Sequence, residues 1–339
     1  MVSLRFPFIV SLSSLLFFLS ITAHAQSFSD VPSTHPAYAA IEFLKERGIL
    51  QGYSDGTFKP GTAVKRAEAL KVIVALKVSP AELAKLSGSN YDDVPADAWY
   101  YPYVQAGHQT LKIIDGPPTT TVFNGSRTVN RVEFLKMFFL SQGVNTGAFG
   151  EIQLPMGNDV TSPTEWYYPL IRYAFSASMI QVDTSGNLSP AQELTRGDMA
   201  VLMHRFAMYQ AGRRTQALLS EEESELVNVL DMLEKNEIVQ AEYASARALI
   251  AARGAHASKP DVPLVQGALK IAEAFRALVR GYRAGVEGKL DEVVSLSKEA
   301  WNIAESAKSI IPDLGELAGS VQSIAGKMAN EARQLQAPQ

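Results

Sequence analysis

The sequence predicts an all-α chain built from three tandem helical repeats followed by an antiparallel helical bundle. Three observations predict it. Arg66, Arg131 and Arg196 recur at an interval of 65 residues, each heading an apolar stripe with helical spacing. Clusters of Gly, Pro, Ser and Asp interrupt the helical stripes. After residue 214 these turn clusters become sparse and the chain is rich in Ala, Leu, Glu and Lys.

The N-terminus reads as an export signal over residues 1–25. Arg5 supplies a positive start, Phe8 to Ile21 is almost wholly apolar or Ser, and Ala23-His24-Ala25 offers a small-residue cleavage site. The apolar run falls short of the roughly 20 residues a membrane-spanning helix needs. A secreted chain with no transmembrane segment after cleavage is therefore expected. Loss of Arg5 leaves 30 basic against 35 acidic residues, a net charge of −5, which argues against nucleic acid as a partner. The sequence contains no cysteine, so disulfides, thiolate metal sites and cysteine nucleophiles are excluded.

The repeats are expected at 26–88, 89–154 and 155–213. An Asp-Val pair opens each one, at Asp30-Val31, Asp93-Val94 and Asp159-Val160. An amphipathic helix follows, marked by Ala40, Ile41, Phe43 and Leu44 in the first unit and by Leu170, Ile171, Ala174 and Phe175 in the third. Next comes a turn, clearest from Gly52 to Gly61, where Gly and Pro are too dense to continue a helix. The second helices carry Leu70, Ile73 and Val74, then Phe134, Leu135, Phe138 and Phe139, then Met199, Leu202, Met203 and Phe206. These stripes predict a shared core.

The combination resembles the S-layer homology domain. The first unit carries Phe28-Ser29-Asp30-Val31, Gly48-Ile49, the turn Gly52-Tyr53-Ser54-Asp55-Gly56-Thr57-Phe58-Lys59-Pro60 and Lys65-Arg66-Ala67-Glu68. Units two and three add Trp99 and Trp166, then Asn130-Arg131-Val132-Glu133 and Thr195-Arg196-Gly197-Asp198. The resemblance implies a pseudo-threefold helical assembly whose inter-repeat grooves bind a cell wall polysaccharide or a peptidoglycan-linked polymer, often through a pyruvylated sugar. On that basis Arg66, Arg131 and Arg196 would grip a carboxylate and Trp99 and Trp166 would flank the sugar or anchor their first helices, while Asp30, Asp93 and Asp159 would orient the arginines or accept from sugar hydroxyls, or else finish the local fold, and Gly52 would serve the ligand or the turn's backbone geometry. Position 36 is Pro where the other units have Trp, and units two and three lack the full turn. If neighbouring units line each groove, these losses complement one another and one or two grooves work.

The arginines raise a physical question of their own. Asn130-x-x-Glu133 has the form of a capping box, Thr195-x-x-Asp198 is a weaker one, and Lys65 cannot accept. Each arginine then falls on the first helical position, where the helix dipole disfavours a cation by about 0.3–1 kcal/mol. A rule broken three times at fixed spacing predicts compensation or function. Free helix-start amides together with a guanidinium fork would receive a carboxylate or a phosphate.

From 214 to 339 four helices are expected. A capping box at Ser220-x-x-Glu223 starts one that runs to about Arg253 before Gly254; the next starts at Asp261-Val262-Pro263; a third covers Leu290 to Ile311; and a fourth carries Leu314, Leu317, Val321, Ile324, Met328 and Ala332. Short connections make them an antiparallel bundle. Ala300, Ala304 and Ala307 permit close helix contact, either inside the bundle or with a second copy or protein partner. The histidines share no metal-ligand spacing, and no nucleophile elbow, zinc-protease motif or phosphate loop is present, so no catalytic residue, metal or cofactor is expected. The leading reading is a non-enzymatic anchor on the bacterial cell surface. A self-assembling S-layer or envelope-spacer subunit is the alternative, and a wall-associated glycan hydrolase is less favoured.

Overall fold

The computed structural model describes residues 27–88, 91–116 and 119–337. The export segment 1–25 and the Pro117-Pro118 step of the second turn lie outside the described residues. The first unit contributes α1 (Tyr38–Glu46) and α2 (Arg66–Ala75), and a short α3 (Pro80–Leu83) leads out of it. The second contributes α4 (Tyr101–Gln105), which widens into a π-helical turn over Ala106–Thr110, and α5 (Arg131–Gln142). The third contributes α6 (Tyr168–Ser176) and α7 (Arg196–Gln210). No strand forms among the described residues, only isolated bridges, so the chain is all-α.

The pseudo-threefold arrangement closes at three short extended segments, one ahead of each second helix. Val64 N–H donates to Leu194 O (2.8 Å), Leu194 N–H to Val129 O (3.0 Å) and Val129 N–H to Val64 O (3.0 Å), a ring of three bonds with one residue from each unit. All three residues are buried on the axis. Around the ring each second helix packs on the first helix of the next unit: α2 on α4, α5 on α6 and α7 on α1. Phe58, Ile73, Phe134, Phe139, Phe175 and Phe206 share the resulting core. Because the last unit docks on the first, the repeats form one closed body.

Among the described residues the C-terminal region holds five long helices, α8 (Thr215–Glu234), α9 (Ile238–Ser258), α10 (Pro263–Val286), α11 (Leu290–Ile310) and α12 (Gly315–Gln336), where four were expected. The single helix anticipated up to Arg253 is two helices. Asn236 takes the left-handed conformation (φ 60°), its N–H donates to Leu233 O (3.1 Å), and Glu237 N–H donates to Met232 O (2.8 Å). That pair of bonds closes a helix end in the Schellman manner, with Asn in the place glycine usually takes. The start was also misplaced. Ser220 lies inside α8, so Ser220-x-x-Glu223 caps nothing.

Gly254 does not end a helix. It sits within α9 because a Cβ there would lie 1.8 Å from Ser176 O on α6. The bundle and the repeats accordingly share a core: Leu218, Ile250, Ala251, Ala255 and Val265 cluster with the repeat residues. A buried ion pair reinforces the junction. Arg247 on α9 meets Glu225 on α8 at 2.5 and 2.8 Å and donates to Met156 O of the third unit at 2.8 Å. Ala300, Ala304 and Ala307 pack with Ala318, Val321 and Ala325 inside the bundle's own core. The alanine seam therefore closes within the chain.

Candidate functional site

Arg66, Arg131 and Arg196 each occupy the first position of a second helix, as their spacing predicts. The helix-start amides around them are not free, contrary to expectation. Arg66, Arg131 and Arg196 N–H donate to Arg127, Gln192 and Thr62 O at 2.8, 2.8 and 2.9 Å. The next amides, of Ala67, Val132 and Gly197, donate to Gly125, Pro190 and Pro60 O of the neighbouring units. At the third position Asn130 Oδ1 accepts from Glu133 N–H (2.9 Å) and Thr195 Oγ1 from Asp198 N–H (3.1 Å). Helix ends normally leave such donors open. Here bonds to the neighbouring units take the first two amides of each helix and local caps take the third in α5 and α7, while Lys65 gives α2 no side-chain cap, so anion recognition falls mainly to side chains.

The guanidinium groups cross into the next unit. Arg196 donates from Nε to Phe58 O and from Nη2 to Gln51 O, both at 2.9 Å, and lies over the rings of Phe58 and Tyr53. Arg131 donates to Leu188 O and, at 2.5 Å, to Gln192 Oε1. These bonds compensate the unfavourable helix-start position. Arg66 has no side-chain hydrogen bond among the described residues and lies 5.1 Å from the Phe123 ring centre. Burial pulls its guanidinium below the ordinary value and Glu133 opposes the shift. A desolvated cation without a committed partner gains from an arriving anion.

The aspartates and the glycine serve the turns. Asp30 accepts from Phe58 and Lys59 N–H at 2.8 and 2.7 Å, Asp93 from Phe123 and Asn124 N–H at 2.7 and 2.6 Å, and Asp159 from Leu188 and Ser189 N–H at 2.8 and 2.7 Å. In each pair the second residue has positive φ, so the carboxylate clamps a strained turn. For Asp30, burial raises the carboxyl pKa, but bonds from Phe58 and Lys59 outweigh it and hold the group below the usual carboxylate range. Gly52 is required by packing: a Cβ would lie 2.3 Å from the Phe28 ring. Both oxygens of each aspartate are engaged with backbone.

Trp99 and Trp166 are exposed, at 55% and 58%, and each lines a groove. The first groove, of about 440 Å³, joins Gln51 and Tyr53 of unit one, Trp99 of unit two and Arg196 of unit three, with Lys71 on its wall. The second, of about 240 Å³, joins Phe123 and Asn124 of unit two, Arg66 of unit one and Trp166 of unit three, with Lys136 on its wall. Every groove thus draws its turn, its arginine and its tryptophan from three different units. Lys71 and Lys136 stand 65 residues apart, and the third unit has Val201 at that position. Sequence reasoning passed over these lysines although the interval that singled out the arginines also marks them. Lys71 Nζ lies 5.7 Å from the Trp99 ring centre.

The equivalent edge of unit three is covered by the bundle. Arg214, at the start of α8, donates to Ser178 Oγ (2.6 Å), and Gln181 donates to Glu221 of α8 (3.2 Å). Pro36 stands where the other units supply tryptophan. Two open grooves stand among the described residues, each with an exposed indole face, a guanidinium and an ammonium. Such a set suits a sugar ring bearing an acidic group: the indole offers apolar area and the cations take the charge.

Comparison with known families and proteins finds similarity in the repeat region. The model of the S-layer homology domain matches residues 27–70 and 90–135, in the first two units. The chain is 28% identical over 172 residues to the surface-layer 125 kDa protein of Lysinibacillus sphaericus, covering 50% of this chain and 14% of that protein. It is 37% identical over 75 residues to a cellulosome-anchoring protein of Acetivibrio thermocellus, covering 22% of this chain and 16% of the relative. It is also 37% identical over 79 residues to the outer membrane protein SlpA of Thermus thermophilus, covering 23% and 9%. The chain thus spans less than a fifth of the length of these relatives.

Proposed function

As the chain is an S-layer homology domain protein, we propose that it is secreted and holds non-covalently to the bacterial cell envelope by binding an anionic wall polymer in its repeat grooves. The observation that carries this reading is the pair of open grooves, each combining an exposed tryptophan, an arginine and a lysine contributed by different units. A pyruvylated sugar fits that set, its carboxylate meeting Arg66 or Arg196 and its ring lying on Trp166 or Trp99. The relatives' names, an anchoring protein and surface-layer proteins, support the same reading. Two sites on one closed body turn the second contact with a long polymer into an intramolecular event, so weak sites hold firmly. The bundle, fused to the repeats through a shared core, is then carried at the envelope as a rigid extension.

Titration calorimetry of the full chain with purified, peptidoglycan-free envelope polymer tests this. The expected result is two sites per chain, with binding lost when the polymer's acidic substituents are removed chemically. Equal binding to the stripped polymer would count against charge recognition in the grooves.

A further inference from the structure

A further cleft, of about 450 Å³, lies away from the repeat grooves between α8, α10 and the start of α12. Its walls carry Leu219, Leu230, Leu264 and Leu314, its rim carries Glu223, Asp313 and Glu316, and no Lys or Arg lines it among the described residues. Glu222 opens into it. This side chain is only 5% exposed, and its Oε1 has no hydrogen-bond partner among the described residues. A buried, unpaired carboxyl oxygen is costly and calls for a reason. Neighbouring Glu225, three residues or almost one helical turn further on, is by contrast fully engaged with Arg247.

We infer that this cleft receives a basic amphipathic segment of a partner protein, one lysine of which places its ammonium on Glu222 while its apolar face covers Leu219, Leu264 and Leu314. Charge complementarity selects the occupant. All the charged groups facing the cleft are acidic, and α10 contributes only Leu264 and Ala268. Lysine suits the site because its four-carbon stem buries along apolar walls and its compact charge needs a single oxygen, whereas arginine works best against both oxygens of a carboxylate. The cleft follows α8 from Gln216 to Leu230, and at the helical rise that stretch is about 21 Å, enough for a partner helix of about four turns. Leu264 and Val227, 44% and 56% exposed, form the uncovered apolar margin.

Burial, and secondarily the adjacent Glu223, raises the Glu222 carboxyl to about 8. At pH 7 it is therefore protonated in the free chain, and pairing with an ammonium ionises it. Binding should release about 0.9 proton at pH 7, and affinity should rise with pH until about 8 and then level. The probe is a 14-residue amphipathic Leu/Lys helix, with a Leu/Glu helix of the same pattern as control, titrated calorimetrically into the full chain in two buffers of different ionisation enthalpy. The expected result is binding of the Leu/Lys peptide with proton release and binding of the Leu/Glu peptide at least tenfold weaker. Glu222→Gln should weaken the Leu/Lys peptide at least tenfold and abolish the release. Leu264→Ser, at the exposed margin and without consequence for the core, should weaken it severalfold. The inference is overturned if the Leu/Glu peptide binds equally well, if Glu222→Gln folds and binds within twofold with unchanged proton release, or if Leu264→Ser leaves affinity unaltered.

Discussion

Replacing Arg247 with Met asks whether repeats and bundle fold as one body. Arg247 and Glu225 are 4% and 2% exposed and joined by two bonds of 2.5 and 2.8 Å. With charge centres about 4 Å apart and an effective dielectric constant of about 20, their attraction is about 4 kcal/mol. Removing one partner strands a buried charge, which costs about 3–5 kcal/mol, and the substitution also leaves Met156 O without the Arg247 donor. Arg247→Met should therefore lose about 3–5 kcal/mol. Replacing both partners, as Glu225→Leu with Arg247→Met, should recover most of that, since an apolar pair of similar volume avoids the desolvation penalty. Urea unfolding followed by fluorescence reads both regions at once, because Trp99 and Trp166 lie in the repeats and Trp301 in α11. Single-tryptophan variants should give coincident transitions that shift together. A loss below about 1 kcal/mol in Arg247→Met, or separate transitions for Trp301 and the repeat tryptophans, would refute the reasoning.

Other outcomes follow from the same packing. Glu222 has a folded-state pKa raised to about 8, so its contribution to stability is present below the unfolded value near 4.3 and is lost as pH rises through 8. Between those limits its term should fall by about 1.4 kcal/mol per pH unit, and urea unfolding of Glu222→Gln should show that slope removed. Gly254→Ala would gain about 1 kcal/mol in an isolated helix, yet in the chain the Cβ would lie 1.8 Å from Ser176 O. Thermal melting should therefore show a lower midpoint, whereas a rise would mean that α9 and α6 are not pressed together.

Much of this architecture is legible in local sequence. The 65-residue interval fixes the three helix starts, and Asn130 and Thr195 cap as their residue types predict because capping acts within four positions. Pro263 and Leu290 begin α10 and α11 where punctuation places them. What failed was of two kinds. Asn236 ends α8 without Gly or Pro, and the Ser220 box imitates a helix start inside a helix, so local signals of equal form carried opposite meanings. Other features depend on residues brought together only by the closed threefold. Asp30 clamps amides 28 and 29 residues away, and Arg196 reaches carbonyls 138 and 145 residues away. The loss of free helix-start amides is of this second kind, as is the cover that α8 places over unit three. Gly254 reads as a terminator until the helix pressed against it is known.

The grooves are tested most directly by co-sedimentation of the full chain with purified envelopes, since a cut near residue 214 would open the core shared by Leu218 and Ile250. The triple variant Arg66→Gln, Trp99→Ala, Trp166→Ala removes the uncommitted guanidinium and both exposed rings without touching the bonds of Arg131 and Arg196. Wild-type chain should pellet with the envelopes, and the variant, melting within a few degrees of wild type, should stay in the supernatant. A folded variant that pellets as fully as wild type would contradict anchoring through these grooves.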